Sequence, residues 1–301
     1  MHKTRVKRTR RLSQDAKDGW VLLSPLLLLT GIFLVYPVFS NFYYSLTQYK
    51  GFGEPVFIGL ENYVRMFSDD RFYSSLKNLL ILTLYIPIGV GLPLIIANVL
   101  RTGLKGWKLY RGLLYLPNIL GPVILGTIFS VMLSQVGPIT EILTRMGFAD
   151  ANRIYLLGRS KSAINTLSFL FVVWMRVGFG CIYFLAAMST IDSSLYDAAK
   201  IDGTNALQDF IHVTIPGIKF SIQFFIVLAF IEVFARMYGM IFTLTGGGPG
   251  FATYTLEFGV YMLSFSAYQK GYAAAWAVVL FFFCAIIALI QIRLIRSEER
   301  S

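Results

Sequence analysis

The sequence predicts an all-α membrane protein with about six transmembrane helices, and three observations carry that prediction. The 301 residues are 56% hydrophobic and only 14% charged, with a mean hydropathy of +0.64. A soluble chain of this length needs a polar shell that so few charged residues cannot supply. Six apolar stretches of roughly 20 residues or more cross the sequence, at 20–46, 79–100, 113–133, 164–188, 220–244 and 272–292. At 1.5 Å per residue each is long enough to span a hydrocarbon layer ~30 Å thick. None alternates apolar with polar residues, so helices rather than a closed barrel satisfy the backbone in lipid.

The chain opens with a basic tail, residues 1–19, carrying Lys3, Arg5, Lys7, Arg8, Arg10, Arg11 and Lys17. The apolar run that follows is too long for a signal-peptide core and no small-x-small cleavage site closes it, so it reads as a retained first helix. Three segments (47–78, 135–163 and 245–271) connect alternate spans; they are too long for tight turns and too short for domains. In the first, Tyr63, Val64 and Phe67 of Glu61-Asn-Tyr-Val-Arg-Met-Phe67 recur at helical spacing, which predicts a short helix at the membrane interface. Residues 140–147 read the same way. The second stretch holds Pro87, Gly89, Gly91 and Pro93, and the third Pro117, Gly121 and Pro122. Membrane helices tolerate such residues, and they also kink helices around cavities; both readings stand. Cys181 and Cys284 lie inside spans and read as small apolar residues rather than a disulfide framework. Residues 20–293 form one transmembrane domain, followed by a short tail, 294–301.

Charge sets the orientation. With the N-terminus inside, the cytoplasmic side holds seven Lys/Arg in the tail, four in the 101–111 turn, two in the loop between the fourth and fifth spans, and three (Arg293, Arg296, Arg300) at the C-terminus. The outer segments hold nine, against seven acids. This asymmetry predicts both termini inside the cell. The net charge of +11 is therefore a topology signal, not a nucleic-acid footprint.

One cytoplasmic loop, 190–216, departs from its basic surroundings. It runs Ser193-Ser-Leu-Tyr-Asp197-Ala-Ala-Lys-Ile-Asp202-Gly203-Thr-Asn-Ala-Leu-Gln-Asp-Phe210-Ile-His-Val-Thr-Ile-Pro216. Ser194 with Asp197 three residues on resembles a capping box, predicting a helix from Leu195. Gly203 supplies a left-handed terminator, Asn205 with Gln208 offers a second start, and Pro216 stands where the next membrane helix begins. Ala198 and Ala199 are small enough for another backbone to approach. Asp192, Asp197, Asp202 and Asp209 face only Lys200 and Lys219. Anionic lipid repels such a loop; a protein partner does not. A solvated connector is the alternative.

These residues match a known family. Asp197-Ala-Ala-x-x-Asp202-Gly203, then Phe210 and Ile215-Pro216, resembles the "EAA" loop of the permease subunits of binding-protein-dependent ABC importers. Tyr36-Pro37 with Ser45-Leu46, the run Phe57-Ile-Gly-Leu-Glu-Asn-Tyr63, Leu244-Thr-Gly-Gly-Gly-Pro-Gly250 and Gly271-Tyr-Ala-Ala-Ala275 resemble the carbohydrate-uptake branch of maltose and multiple-sugar type, in its MalF-like first-member subgroup. The resemblance implies a type I ABC importer permease fold in a bacterial cell membrane. It implies that a coupling helix near residues 195–202 seats in a separate ATPase subunit, with Asp197, Ala198, Ala199, Asp202, Gly203, Phe210 and Pro216 forming the coupling loop. The implied partners are two ATP-binding subunits, a second, non-identical permease, an extracytoplasmic solute-binding protein and membrane lipid, but no nucleic acid. ATP and magnesium would sit on the ATPase; this chain carries no cofactor, no metal and no catalytic residue. Asp197 replaces the family's Glu, Thr204 its Ala, and Phe220 a second Pro. The extra helices or large outer insertion of some first-member permeases are missing.

Charges within spans cost roughly 2.5–3.5 kcal/mol at a helix centre and need a reason. Arg176 lies in the fourth span; Glu232 and Arg236 lie in the fifth, four apart and on one helical face. One reading is a structural ion pair, Glu232 with Arg176 or with Arg236. The other is a polar wall of a solute path, with Trp174 and Tyr238 among the aromatics that stack on sugar rings. The Gly-rich run 245–250 lacks the Lys-Ser/Thr of a phosphate loop and follows no strand, so it reads as a helix-ending turn. An ion-coupled secondary transporter or channel subunit is the alternative function; only Glu232 serves as an intramembrane acid for it. His2 and His212, the two histidines, lie outside the spans, which leaves an intramembrane hydrolase without a base.

Overall fold

The computed structural model describes residues 8–101, 107–147 and 156–298. Lys3, Arg5, Lys7, Lys105, Arg153 and Arg300, which entered the charge balance, lie outside the described residues. Among the described residues, five helices are long and apolar enough to cross a membrane: Ala16–Ser45, Asp70–Arg101, Gly112–Met132, Ser160–Met188 and Lys270–Ile290. The remaining span, fifth in chain order, is built on Lys219–Ala235, which continues Ala206–Gly217 across a 76° bend. Short helices form at Glu61–Met66 and Pro138–Arg145, where helical spacing places them. The segment between the first and second spans also holds a two-residue antiparallel ladder, Thr47–Gln48 against Val56–Phe57.

Two expected boundaries change. The second span starts at Asp70, not at 79, because Asp69 caps it: its carboxylate accepts from the Arg71 backbone N–H at 2.9 Å. Its first turns carry Asp70, Arg71, Lys77 and Asn78, so a hydropathy window cannot see a helix that continues beyond the lipid. The fifth span was expected to be continuous over 220–244, but its helix ends at Ala235. Arg236 takes φ −139° and the chain becomes helical again only at Tyr238–Leu244. The two N–H groups just past the break, of Met237 and Tyr238, donate to Glu257 Oε2 at 2.8 and 3.1 Å. An unbroken helix would direct them to carbonyls four residues back.

Glycine brings the spans together at backbone distance. A Cβ on Gly89 would lie 2.2 Å from the Val172 carbonyl oxygen, and one on Gly178 would lie 2.0 Å from that of Leu114. The second and third spans therefore both press on the fourth through small residues, the usual means of helix association where lipid offers no hydrophobic driving force. Gly121 acts differently: its φ of 74° and ψ of 165° break the third span in the middle, a conformation open to glycine and barred to most residues. The proline- and glycine-rich spans thus combine packing with one true break.

Phe184, Phe225, Met240 and Trp276 are fully buried at the centre of the bundle. The first span lies apart, with none of its apolar window buried. Only its last turns, Tyr36–Ser45, meet the sixth span, where Phe42 packs edge-on to Phe281 and Phe282 at 5.8 and 6.0 Å. The Gly-rich turn is pinned by Asn78, whose amide donates to the carbonyls of Phe251 and Tyr254 at 2.7 and 2.9 Å.

Candidate functional sites: a two-helix loop and an intramembrane cavity

The loop folds as two short helices with a bend. The first, Ser193–Ile201, starts two residues before the expected Leu195, because its cap is Asp192: Oδ1 accepts from the Ser194 N–H at 2.9 Å. That backbone hydrogen bond holds the Asp192 carboxyl below the usual carboxylate range. Asp197, expected to take part in the start, instead contacts Lys200 at 3.2 Å, both side chains about two-thirds exposed. Gly203 adopts φ 76° and ends the helix as its composition predicts. Asn205 and Gln208 then form a complete capping box: Asn205 accepts from the Leu207 and Gln208 N–H groups at 3.1 and 3.0 Å, and Gln208 accepts from the Asn205 N–H at 2.8 Å. Thr204, where the family has Ala, donates to the Ala199 carbonyl at 2.7 Å and also bonds Asp209.

Burial divides this motif in two. Ala199 is buried against the chain's own loop, whereas Asp197, Ala198, Asp202, Gly203 and Pro216 are exposed. Leu195 and Ile201 are 54% and 87% exposed, so an apolar and acidic surface faces outward. Phe210 is half-buried and packs on the core. Tyr196, which nothing in the sequence reading marked, roots the first helix. Its ring lies under the Arg101 guanidinium at 3.9 Å and its hydroxyl meets Thr214 Oγ1 at 3.0 Å. A cation over a buried tyrosine ties the end of the second span to the loop.

The intramembrane charges meet at a cavity of about 260 Å³, lined by Asn118, Pro122, Phe171, Met175, Arg176, Phe179, Glu232 and Arg236. Arg176 Nη2 stands 2.7 Å from Glu232 Oε2, with the arginine side chain 2% and the glutamate 32% exposed. The pair therefore joins the fourth and fifth spans. The helix ends at Ala235, and Arg236 follows as its cap residue, with its N–H still on the Glu232 carbonyl at 3.0 Å. Arg236 is exposed, has no carboxylate within ion-pair distance among the described residues, and borders the cavity alone. Both broken spans contribute to this space: the third through Asn118 and Pro122 beside Gly121, the fifth through Glu232 and Arg236 beside its own break. Unwound backbone at membrane depth is tolerated where it lines a cavity.

The two aromatic candidates lie elsewhere. Trp174 packs edge-on to Phe129 at 5.3 Å. Tyr238 sits among Tyr261, Phe242 and Phe258, at 4.1, 5.5 and 6.0 Å. Neither lines the cavity. Asn118 and Glu257 escaped the sequence reading. A carboxylate 21 positions past Arg236 gives no periodic or charge signal that it caps the break.

No family model matches the chain. Among curated proteins it is similar to the multiple sugar-binding transport system permease protein MsmF of Streptococcus mutans, with 30% identity over 93% of this chain and 96% of that one. It is also similar to the probable starch degradation products transport system permease protein AmyD of Thermoanaerobacterium thermosulfurigenes, with 31% identity over 93% and 94%. Among solved structures, a bacterial ABC transporter that imports the acidic polysaccharide alginate matches at a TM-score of 0.81 over 95% of this chain and 99% of that chain, with 23% identity. A bacterial alginate ABC transporter in complex with an alginate-pentasaccharide-bound periplasmic protein gives 0.78 over 93% and 96%, with 23% identity. The overall fold is thus shared with these structures.

Proposed function

The chain belongs to the permease family of ABC transport systems, and from that premise we propose that it lines half of the pore through which an importer moves a sugar or sugar-like solute into the cell. The relatives are named for multiple sugars, starch degradation products and sn-glycerol-3-phosphate, and the structural neighbour for alginate; none favours the ion-coupled transporter or channel reading. We place both termini and the 190–216 loop in the cytoplasm. The loop engages one of two ATP-binding subunits, which carry ATP and magnesium; a second, non-identical permease completes the pore, and an extracytoplasmic binding protein supplies the solute.

The observation that carries this reading is the construction of the loop. Two helices, each capped by its own side chains, turn Leu195, Asp197, Ala198 and Ile201 outward. Tyr196 and Arg101 fix their inner side to the membrane domain. A surface presented so rigidly moves as one body, and the force a closing ATPase applies there reaches the second and fifth spans. Such coupling requires two states that ATP binding weights differently. At the cavity, Arg176 and Glu232 brace the fourth and fifth spans, while Asn118 and Arg236 offer hydrogen bonds to solute hydroxyls.

The combined change Asp202→Lys and Gly203→Pro tests the coupling. Proline cannot adopt φ 76°, and the lysine reverses an exposed charge. Membrane insertion should be normal and uptake by the assembled importer lost. Normal uptake at normal abundance would remove the loop from the mechanism.

A further inference from the structure

We infer that the solute is acidic: a sugar or sugar-like molecule whose carboxylate or phosphate group pairs with Arg236. This rests on the cavity being the solute path, and it goes beyond that reading by fixing the charge of what passes. Three charged side chains line the cavity, Arg176, Glu232 and Arg236. Two of them cancel, since Arg176 and Glu232 meet at 2.7 Å and the arginine is 2% exposed. Arg236 is left as the net charge, exposed and with no carboxylate at ion-pair distance among the described residues. Glu257, which bonds the backbone just past Arg236, does not line the cavity; its Oε2 takes the Met237 and Tyr238 N–H groups.

Depth makes this charge informative. The helix before Arg236 runs 17 residues from Lys219 to Ala235, which puts the arginine about 25 Å along the fifth span, within a hydrocarbon layer ~30 Å thick. A charge at such a depth is costly unless it faces a watery space or an opposite charge, and it marks a substrate path. The carbonyl end of the 219–235 helix, roughly half a negative charge, offsets only part of it. Phe171, Met175 and Phe179 supply apolar wall, which lowers the local dielectric and lengthens the reach of the guanidinium. A neutral sugar leaves that field unanswered. A carboxylate or phosphate answers it with two parallel N–H···O bonds from one guanidinium, while Asn118 in the same cavity stays available for a hydroxyl.

The test uses the complete importer in right-side-out and inverted membrane vesicles, with Cys181→Ala and Cys284→Ala in the permease and Asn118→Cys as the reporter. Labelling is read on the permease after separation from its partner subunits. Two membrane-impermeant thiosulfonates, one bearing a sulfonate and one a trimethylammonium, react with that cysteine, and each rate is divided by the rate with free mercaptoethanol. The sulfonate should be favoured about tenfold; Arg236→Lys should keep the preference and Arg236→Gln should remove it. Glucuronate, glucose 6-phosphate and glucose then compete with labelling by neutral N-ethylmaleimide. At least one anion should half-protect the cysteine at a concentration about tenfold below that of glucose, and Arg236→Gln should close the gap. The better anion tells a carboxylate solute from a phosphate one. Equal normalised rates would show that the second permease cancels the charge and would overturn the inference, as would anions that protect no better than glucose. The path is read separately: labelling should move from the cytoplasmic side without nucleotide to the outer side with ATP and vanadate. Labelling confined to one side in both states would refute the path, whatever the charge preference, and the inference with it.

Discussion

Replacing Glu232 with glutamine isolates the ion pair that joins the fourth and fifth spans. Removing one partner of a buried pair typically costs about 3–5 kcal/mol, because the other charge stays buried and unpaired. Arg176 meets that condition at 4% exposure, but Glu232 keeps 32% of its side chain open to the cavity. Water there screens the pair, so the lower end of the range applies. The glutamine oxygen can still accept from Arg176, recovering about 1 kcal/mol. The net cost is then about 2 kcal/mol. Other support for the guanidinium is weak: the Ala229 carbonyl lies 3.5 Å from Nη2, and Nε has no partner among the described residues. Scaled to a domain of this size, the melting midpoint of the purified protein should fall by about 4 °C or more. Protein yield should fall with it, more than solute preference changes. Arg176→Met combined with Glu232→Leu, which removes both charges, should recover most of the loss. A Glu232→Gln variant melting within about 1 °C of the parent would refute the brace, as would a double variant less stable than either single change.

Two further perturbations follow from the geometry. Gly178→Val would drive a side chain into the Leu114 carbonyl, 2.0 Å from the new Cβ; overpacking of this kind costs about 1–3 kcal/mol, and size-exclusion profiles should show loss of the monodisperse protein, whereas an unchanged profile and melting midpoint would contradict the close approach. Asn205→Ala removes the capping box at a cost of about 1 kcal/mol, so backbone hydrogen exchange over 205–209 should speed up while the spans remain protected; unchanged exchange would show that the cap contributes nothing.

The six spans were legible because transfer of apolar side chains into lipid outweighs every competing local preference, and the same arithmetic governs a sequence window. The loop was legible for another reason: caps and left-handed glycines are local, so Gly203 and the Asn205–Gln208 box could be read from a few neighbouring residues. The first cap was misread by two positions because Asp192 and Ser194 are both competent, and only geometry chooses between them. The fifth span marks where such reasoning stops. Its 25 expected residues are apolar enough to run straight; the two N–H groups past the break go to Glu257, a long-range polar contact with no periodicity. The same limit hid which arginine pairs with Glu232. Spacing left Arg176 and Arg236 both open as partners, and the fourth span brings Arg176 to 2.7 Å from Glu232. Tyr196 went unmarked because its role depends on Arg101, some 95 residues earlier.

The central claim is that the exposed face of helix Ser193–Ile201 is where ATP hydrolysis is converted into movement of the spans. A photoreactive side chain introduced at Ala198, in the importer assembled in its native membrane, addresses this directly. The expected adduct is the ATP-binding subunit, formed with a yield that changes when ATP and vanadate trap the closed state. An adduct pattern without any ATP-binding protein, or one indifferent to nucleotide, would contradict the account.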